Sequence, residues 1–224
     1  MASSVKSSVK SSVNRKSSGA AEPGQARTRL ARRAVVDSAR ILFVERGYQA
    51  TTIDAISQRS EVPAPTIYRL FSSKLGILKA VLDVSIGGDD REVAMLDRPE
   101  VRALLASQDP RDQLSGFAAL VRGVMERAGS VHRILADAAR SDPDAAALLE
   151  DIARQRHTGQ RRIAQSLAAI GALRPGFSER DAADVIHALA SPEVYGLLVL
   201  DRGWSGKRYE DWLGSILKEQ LLAL

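Results

Sequence analysis

The side chains best placed to do chemistry lie between residues 51 and 79, in the stretch TTIDAISQRSEVPAPTIYRLFSSKLGILK. Small, hydroxyl-bearing and basic residues there alternate with apolar ones at Ile53, Ile56, Val62, Ile67, Phe71, Leu75 and Leu78. Apolar spacings of three to six describe short helices folded back on one another rather than one rod. Two short helices with such a face fit a DNA major groove. The chemistry is therefore recognition of phosphates and base edges, not bond making. The chain has no Gly-rich phosphate loop, no Gly-x-Ser-x-Gly, no His-Glu-x-x-His and no cysteine. His132, His157 and His187 lie 25 and 30 residues apart, which is not metal-ligand spacing. The acidic pairs Asp89-Asp90 and Glu150-Asp151 are adjacent, so on a helix their side chains diverge. No catalytic residue, metal site or cofactor is expected.

The elements that must position this unit start upstream. Residues 25–46 predict a helix, with Val35, Ala39, Leu42 and Phe43 on one face and Arg27, Arg29, Arg32 and Arg33 crowding its first turns. Four cations oppose the helix dipole there, and an external polyanion would relieve them. Gly47 ends that helix. Thr51 with Asp54 makes a capping-box pattern for the next one, which leaves the Thr52 hydroxyl and the helix N-terminus free for a phosphate. Residues 57–61 make the turn, and Pro63 and Pro65 flank the entry to a helix over 64–71. Ile67 and Phe71 should face inward, Thr66 and Arg69 outward, with Ala64 and Pro65 at the tip. Tyr68 can pack its ring and offer its hydroxyl to a phosphate. Ser72-Ser73-Lys74 starts a fourth helix, with Lys74 placed as a second phosphate clamp.

These residues resemble the DNA-binding domain of TetR/AcrR-family transcriptional regulators. The family pattern runs through an apolar helix ending in Leu-Phe, a Gly-Tyr, a Thr pair, and a helix-turn-helix closing on Thr-(Leu/Ile)-Tyr-x-x-Phe-x-x-Lys. Leu42, Phe43, Gly47, Tyr48, Thr51, Thr52, Thr66, Ile67, Tyr68, Phe71 and Lys74 supply it in order and spacing. The resemblance covers residues 28–80. It implies that Thr52, Tyr68 and Lys74 hold phosphates while Ala64, Pro65, Thr66 and Arg69 face base edges. Three positions depart from the pattern: Glu61 where the family has Gly, Pro63 where it has a capping Ser, and Pro65 where it often has Gly. An apolar Ala64 or Pro65 suits a thymine methyl better than a guanine.

After Lys79 the pattern stays helical, without strand alternation. The fourth helix should end at Gly87-Gly88, and residues 92–107 read as a weakly defined helical linker. Helices are expected over 110–128, 130–140, 143–173, 179–200 and 207–222, with Arg154-Gln155-Arg156-His157 facing solvent. The last two are apolar enough to form one core or a dimer interface, and the resemblance implies a homodimer through them. The other helices can enclose a pocket for a small-molecule effector. Phe117, Met125, His132, His157, His187 and Tyr195 are candidate lining residues, and nothing in the sequence names the ligand.

The fold class that results is all-α, with about nine helices. A disordered basic, Ser-rich tail (1–26) precedes a three-helix helix-turn-helix domain (27–80) and a helical effector-binding and dimerisation domain (81–224). Of the net charge of +5, residues 1–26 carry +3, residues 27–80 carry +6 and residues 81–224 carry −4, so an anionic partner should meet the first third. The absence of cysteine fits a reducing cytoplasm, and no stretch reaches the roughly 18–20 apolar residues of a membrane span. The function these features imply is a sequence-specific, dimeric DNA-binding regulator, a repressor released from a palindromic operator by a small molecule. The other reading is a helical adaptor whose basic end binds an acidic protein. DNA binding should weaken steeply with salt and prefer a palindrome; an adaptor should show no sequence preference.

Overall fold

The computed structural model describes residues 23–88 and 94–223; residues 1–22 of the tail expected over 1–26 and the Asp89-Asp90 pair lie outside the described residues, while residues 23–26 already belong to the first helix. The described chain is helical, and its one extended feature is an isolated antiparallel bridge between Leu173 and Leu222. The helices are α1 (Pro23–Ala50), α2 (Ile53–Ser60), α3 (Ala64–Phe71), α4 (Lys74–Gly87), α5 (Pro99–Ala106), α6 (Pro110–Ala138), α7 (Pro143–Ala169), α8 (Glu179–Leu189), α9 (Pro192–Tyr195) and α10 (Gly206–Leu221). A 3₁₀ turn (Met95–Asp97) precedes α5, and a π-helical turn (Gly196–Asp201) continues α9.

One local rule starts several of these helices. Asp109, Asp142 and Ser191 each cap a helix by accepting backbone N–H bonds, and each is followed by a proline at the first helical position. The third case corrects an expected helix. The segment predicted over 179–200 is broken at Ala190-Ser191, because the Ser191 hydroxyl caps a new start and Pro192 supplies no N–H to continue the old one. By length and composition Glu179–Asp201 could be compared with a membrane span, but it is two helices with this break between them.

The opposite correction applies to α6. The two helices expected over 110–128 and 130–140 are one continuous helix of 29 residues. Gly129 does not stop it. It admits the Tyr195 ring, whose carbons lie 3.1 and 3.2 Å from where a Cβ would stand. The helix predicted over 143–173 stops earlier, at Ala169, just before Gly171 at φ 68°.

Two cores hold the chain. The first joins Val35, Leu42 and Phe43 of α1, Ile56 of α2, Ile67 and Phe71 of α3 and Leu78, Val81 and Leu82 of α4, and it continues into Val131, Leu135 and Ala138 of α6. The second gathers α6, α7, α8 and α10 around Tyr209, Leu213 and Leu217. The first core thus extends past residue 80 to the foot of α6. That leaves α4 between the two halves, packed against α1 on one side and α6 on the other.

Candidate nucleic-acid interface and effector cavity

The helix-turn-helix begins at a kink. Gly47 takes φ 76°, ψ 170° inside α1, a left-handed geometry that a side chain would strain. The next turn is fixed by Thr51, not by solvent contacts. Its fully buried hydroxyl donates to the carbonyls of Gly47 (2.8 Å) and Leu42 (3.2 Å). The cap is therefore one residue later than the capping-box pattern indicated: exposed Thr52 accepts from the Ala55 N–H at 3.1 Å and caps α2. Its hydroxyl hydrogen remains available to an outside acceptor.

The turn between α2 and α3 is held by the Ser57 hydroxyl, which donates to the Val62 carbonyl at 2.7 Å. Glu61 closes α2 at φ 56°, ψ 21°, a left-handed position occupied without glycine. Pro63 stands at the N-cap of α3 without a side-chain bond, although its carbonyl accepts from Thr66 and Ile67. The face of α3 follows its period. Ile67 and Phe71 are buried, Pro65 and Arg69 are exposed, Ala64 and Thr66 are partly exposed, and Tyr68 is 53% exposed. A large aromatic held that open on a short helix is available to a partner. Arg32, from the α1 arginine cluster, lies over the Phe71 ring (4.7 Å to its centroid) and donates to the Leu70 carbonyl at 3.4 Å. It braces α3 from behind.

Lys74 faces a different way from the clamp expected of it. Its Nζ donates to the carbonyls of Tyr48 (2.8 Å), Thr51 (3.0 Å) and Gln49 (3.4 Å) and sits 4.3 Å from the Tyr48 ring centroid. Burial lowers its pKa, with Asp142 acting weakly against that. The ammonium ties the start of α4 to the end of α1.

The second site is a cavity of about 260 Å³ enclosed by α4, the 3₁₀ turn, α5, α6, α7 and the α8–α9 junction. Leu82, Ile86, Val101, Leu105, Phe117, Val121, Met125 and Ile163 make it largely apolar. Of the six lining candidates, Phe117, Met125 and His132 border it, while His157, His187 and Tyr195 do not. His187 stands behind the wall, its Nδ1 2.9 Å from Gln160 Oε1, and His157 lies 3.6 Å from Asp184 near the surface. Tyr195 is buried edge-on to Tyr209.

Sequence reasoning missed Arg156. It was expected to face solvent with its neighbours, yet Arg156 and Gln160 line the cavity while Arg154 is exposed. Helical period is the signal that could have found it, because Arg156 is four residues after Ile152 and seven before Ile163, both on the cavity wall. One terminal nitrogen of Arg156 donates to the His187 carbonyl at 3.1 Å and the other lies 3.3 Å from His187 Nε2. Burial lowers the pKa of Arg156, of His132 and of His187; Arg156 adds to the depression at both histidines, and Glu193 opposes it.

The geometry defines a class first: a helix-turn-helix unit joined by one shared helix to a helical body with an internal cavity. Residues 35–81 match the family described as bacterial regulatory proteins, tetR family, so the chain carries a tetR-family helix-turn-helix domain. The HTH-type transcriptional repressor KstR of Mycolicibacterium smegmatis is 28% identical over 106 residues, covering 47% of this chain and 48% of that protein. The transposon Tn10 TetC protein of Escherichia coli is 50% identical over 46 residues, covering 20% and 23%. The chain thus spans about half the length, or less, of the curated relatives it matches. Among solved structures, NalD of Pseudomonas aeruginosa, the secondary repressor of the MexAB-OprM efflux pump, aligns at TM-score 0.64 and 18% identity over 88% of this chain and 98% of its own. FadR of Bacillus subtilis, solved with stearoyl-CoA, aligns at TM-score 0.66 and 16% identity over 83% and 96%. At those identities the structures establish a shared fold across nearly the whole chain.

Proposed function

We propose that the chain is a dimeric, ligand-responsive transcriptional repressor acting on DNA in the cytoplasm. It binds a palindromic operator through two copies of α3 and leaves when a small molecule enters the cavity. The observation that carries this reading is the dual use of α4. Leu78 and Val81 pack in the core beneath the helix-turn-helix, while Leu82 and Ile86, one turn on, border the cavity. Arg127 of α6 fastens the far end of α4, donating to the carbonyls of Ser85 (3.1 Å) and Ile86 (3.3 Å). A ligand that moves α4 therefore moves α3, and a change in half-site separation weakens binding to a fixed operator; couplings of about 1–3 kcal/mol are usual.

Thr52 and Tyr68 are the phosphate contacts in this reading, and Ala64, Pro65, Thr66 and Arg69 face base edges. Lys74 positions the unit. Dimerisation uses the α8–α10 region, where Leu197 (60% exposed) and Leu200 (39%) leave apolar surface open beside α10. The stearoyl-CoA held by the FadR structure supports a small-molecule role for a cavity in this fold. Selection of bound duplexes from a random pool at near-physiological salt tests the proposal. It should return one palindromic site, and Tyr68→Ala should weaken binding to that site by about 2- to 10-fold, the scale of one lost hydrogen bond. Weak, salt-sensitive binding with no consensus refutes it.

A further inference from the structure

The cavity is not uniformly apolar: of the charged groups that border it, the cation lies on the inward wall and the carboxylate at the rim. His132, Arg156 and Gln160 form its inward polar wall, whereas Asp83 and Gln155 are exposed residues at its rim. Arg156 keeps its charge, since a guanidinium does not deprotonate in proteins. Among the described residues no carboxylate lies within 4 Å of it. Asp83 is paired with Lys79 at 2.7 Å, Asp184 faces His157, and Glu193 is exposed and acts on Arg156 only through its field. A partly buried cation facing an apolar space without a counter-ion is unfavourable, and an anion placed there would restore the balance. The guanidinium is also held in position: its two contacts with His187 use one edge and leave other N–H donors free. His132 has no hydrogen-bond partner among the described residues and borders the same space.

We propose that the effector is an apolar carboxylic acid, bound as its anion, with its carboxylate on Arg156 and its hydrocarbon body against Leu82, Ile86, Phe117 and Met125. This rests on the reading of the cavity as an effector site. Arginine recognises a carboxylate through paired, charge-assisted bonds, so an alcohol of the same shape should be a poor substitute and a cation should be rejected. The cavity's volume of about 260 Å³ favours a compact or medium-length acid.

Calorimetric titration of the full chain with decanoate, decanol and decyltrimethylammonium separates these cases without DNA. Decanoate should bind, with decanol and the cation at least about tenfold weaker. Arg156→Met should weaken decanoate by about 10- to 100-fold and change decanol less than about threefold, as expected for loss of a charged hydrogen-bond donor. Arg156→Lys, which keeps the charge and loses the paired geometry, should fall between, and it carries the test should Arg156→Met not fold. The proposal is overturned by equal or tighter binding of decanol or the cation, by decanoate binding that ignores both substitutions, or by binding of none of the three. Operator selection tests the regulator reading independently, so failure of the acid preference and failure of that reading are told apart.

Discussion

Replacing Lys74 with methionine separates two roles that the sequence alone does not distinguish. A phosphate clamp would be exposed and unpaired in the free protein. Lys74 instead spends its three donors on the carbonyls of Tyr48, Gln49 and Thr51, with the Tyr48 ring beneath it. Hydrogen bonds from a charged donor contribute about 1.5–3 kcal/mol, and a partly exposed cation–π contact about 0.5–1. Methionine keeps the hydrophobic stem, so much of the packing survives. Partial solvation of the site and non-additivity of the three bonds argue for the lower end, a loss of about 2 kcal/mol. In a chain of 224 residues that is a fall in Tm of about 4–8 °C. Two assays report on this: thermal or denaturant unfolding of the free protein, and the salt dependence of operator binding. Operator affinity should drop in parallel with lost order in the α1–α4 junction, while the slope of log K against log salt stays unchanged. A variant with unaltered Tm and a slope reduced by about one would mean that Lys74 leaves its carbonyls for a phosphate, and the structural reasoning would fail.

Gly76→Ala tests the next turn of the same helix. A Cβ there would stand 2.0 Å from the Phe71 carbonyl oxygen, so α3 must shift against α4, destabilising the chain by about 1–3 kcal/mol and weakening operator binding. Glu61→Gly should stabilise it by about 0.5–1 kcal/mol, because the left-handed strain at φ 56° exceeds the entropy glycine adds to the unfolded chain; denaturant titration reads the sign. His132 and His187 should make stability depend on acidity. Burial holds both below the ordinary value of 6.5, so the unfolded state takes up protons first as pH falls. Their contribution is complete above that value and is lost progressively below it, and a His132→Gln, His187→Gln double variant should unfold with a flatter dependence between pH 7.5 and 5. An equally steep profile in that variant would place the titration elsewhere.

The elements that were legible in the sequence are those set by neighbours along the chain. α3 spans Ala64 to Phe71 as its period indicates, and at the start of α8 Ser178 and Asp181, three residues apart, form a capping box from neighbouring residues alone. The misreadings have a common cause in contacts between distant segments. Gly129 reads as a helix end until Tyr195, 66 positions later, fills the space a side chain would take. Thr51 and Thr52 are both credible caps, and only the burial of Thr51 against the α1 carbonyls decides between them. The unbroken helix expected over 179–200 overlooked a local signal, since Ser191-Pro192 is the same hydroxyl-then-proline start that marks α6 and α7 with an aspartate.

Charge was the hardest property to place, and Lys74 and Arg156 show why. Each lies in a segment whose composition suggests exposure, and each turns inward to groups more than twenty residues away: the end of α1 for Lys74, His187 for Arg156. A cation can do so only where its donors are matched, because burial without partners is unfavourable by several kcal/mol. Lys74 meets that condition within the chain, with three carbonyls for three donors. Arg156 meets it in part: one carbonyl and one imidazole against five N–H groups, with no carboxylate in reach among the described residues. The first arrangement is complete and therefore structural. The second is incomplete on the side that faces the cavity, and it sets the sign of the charge that a ligand must bring.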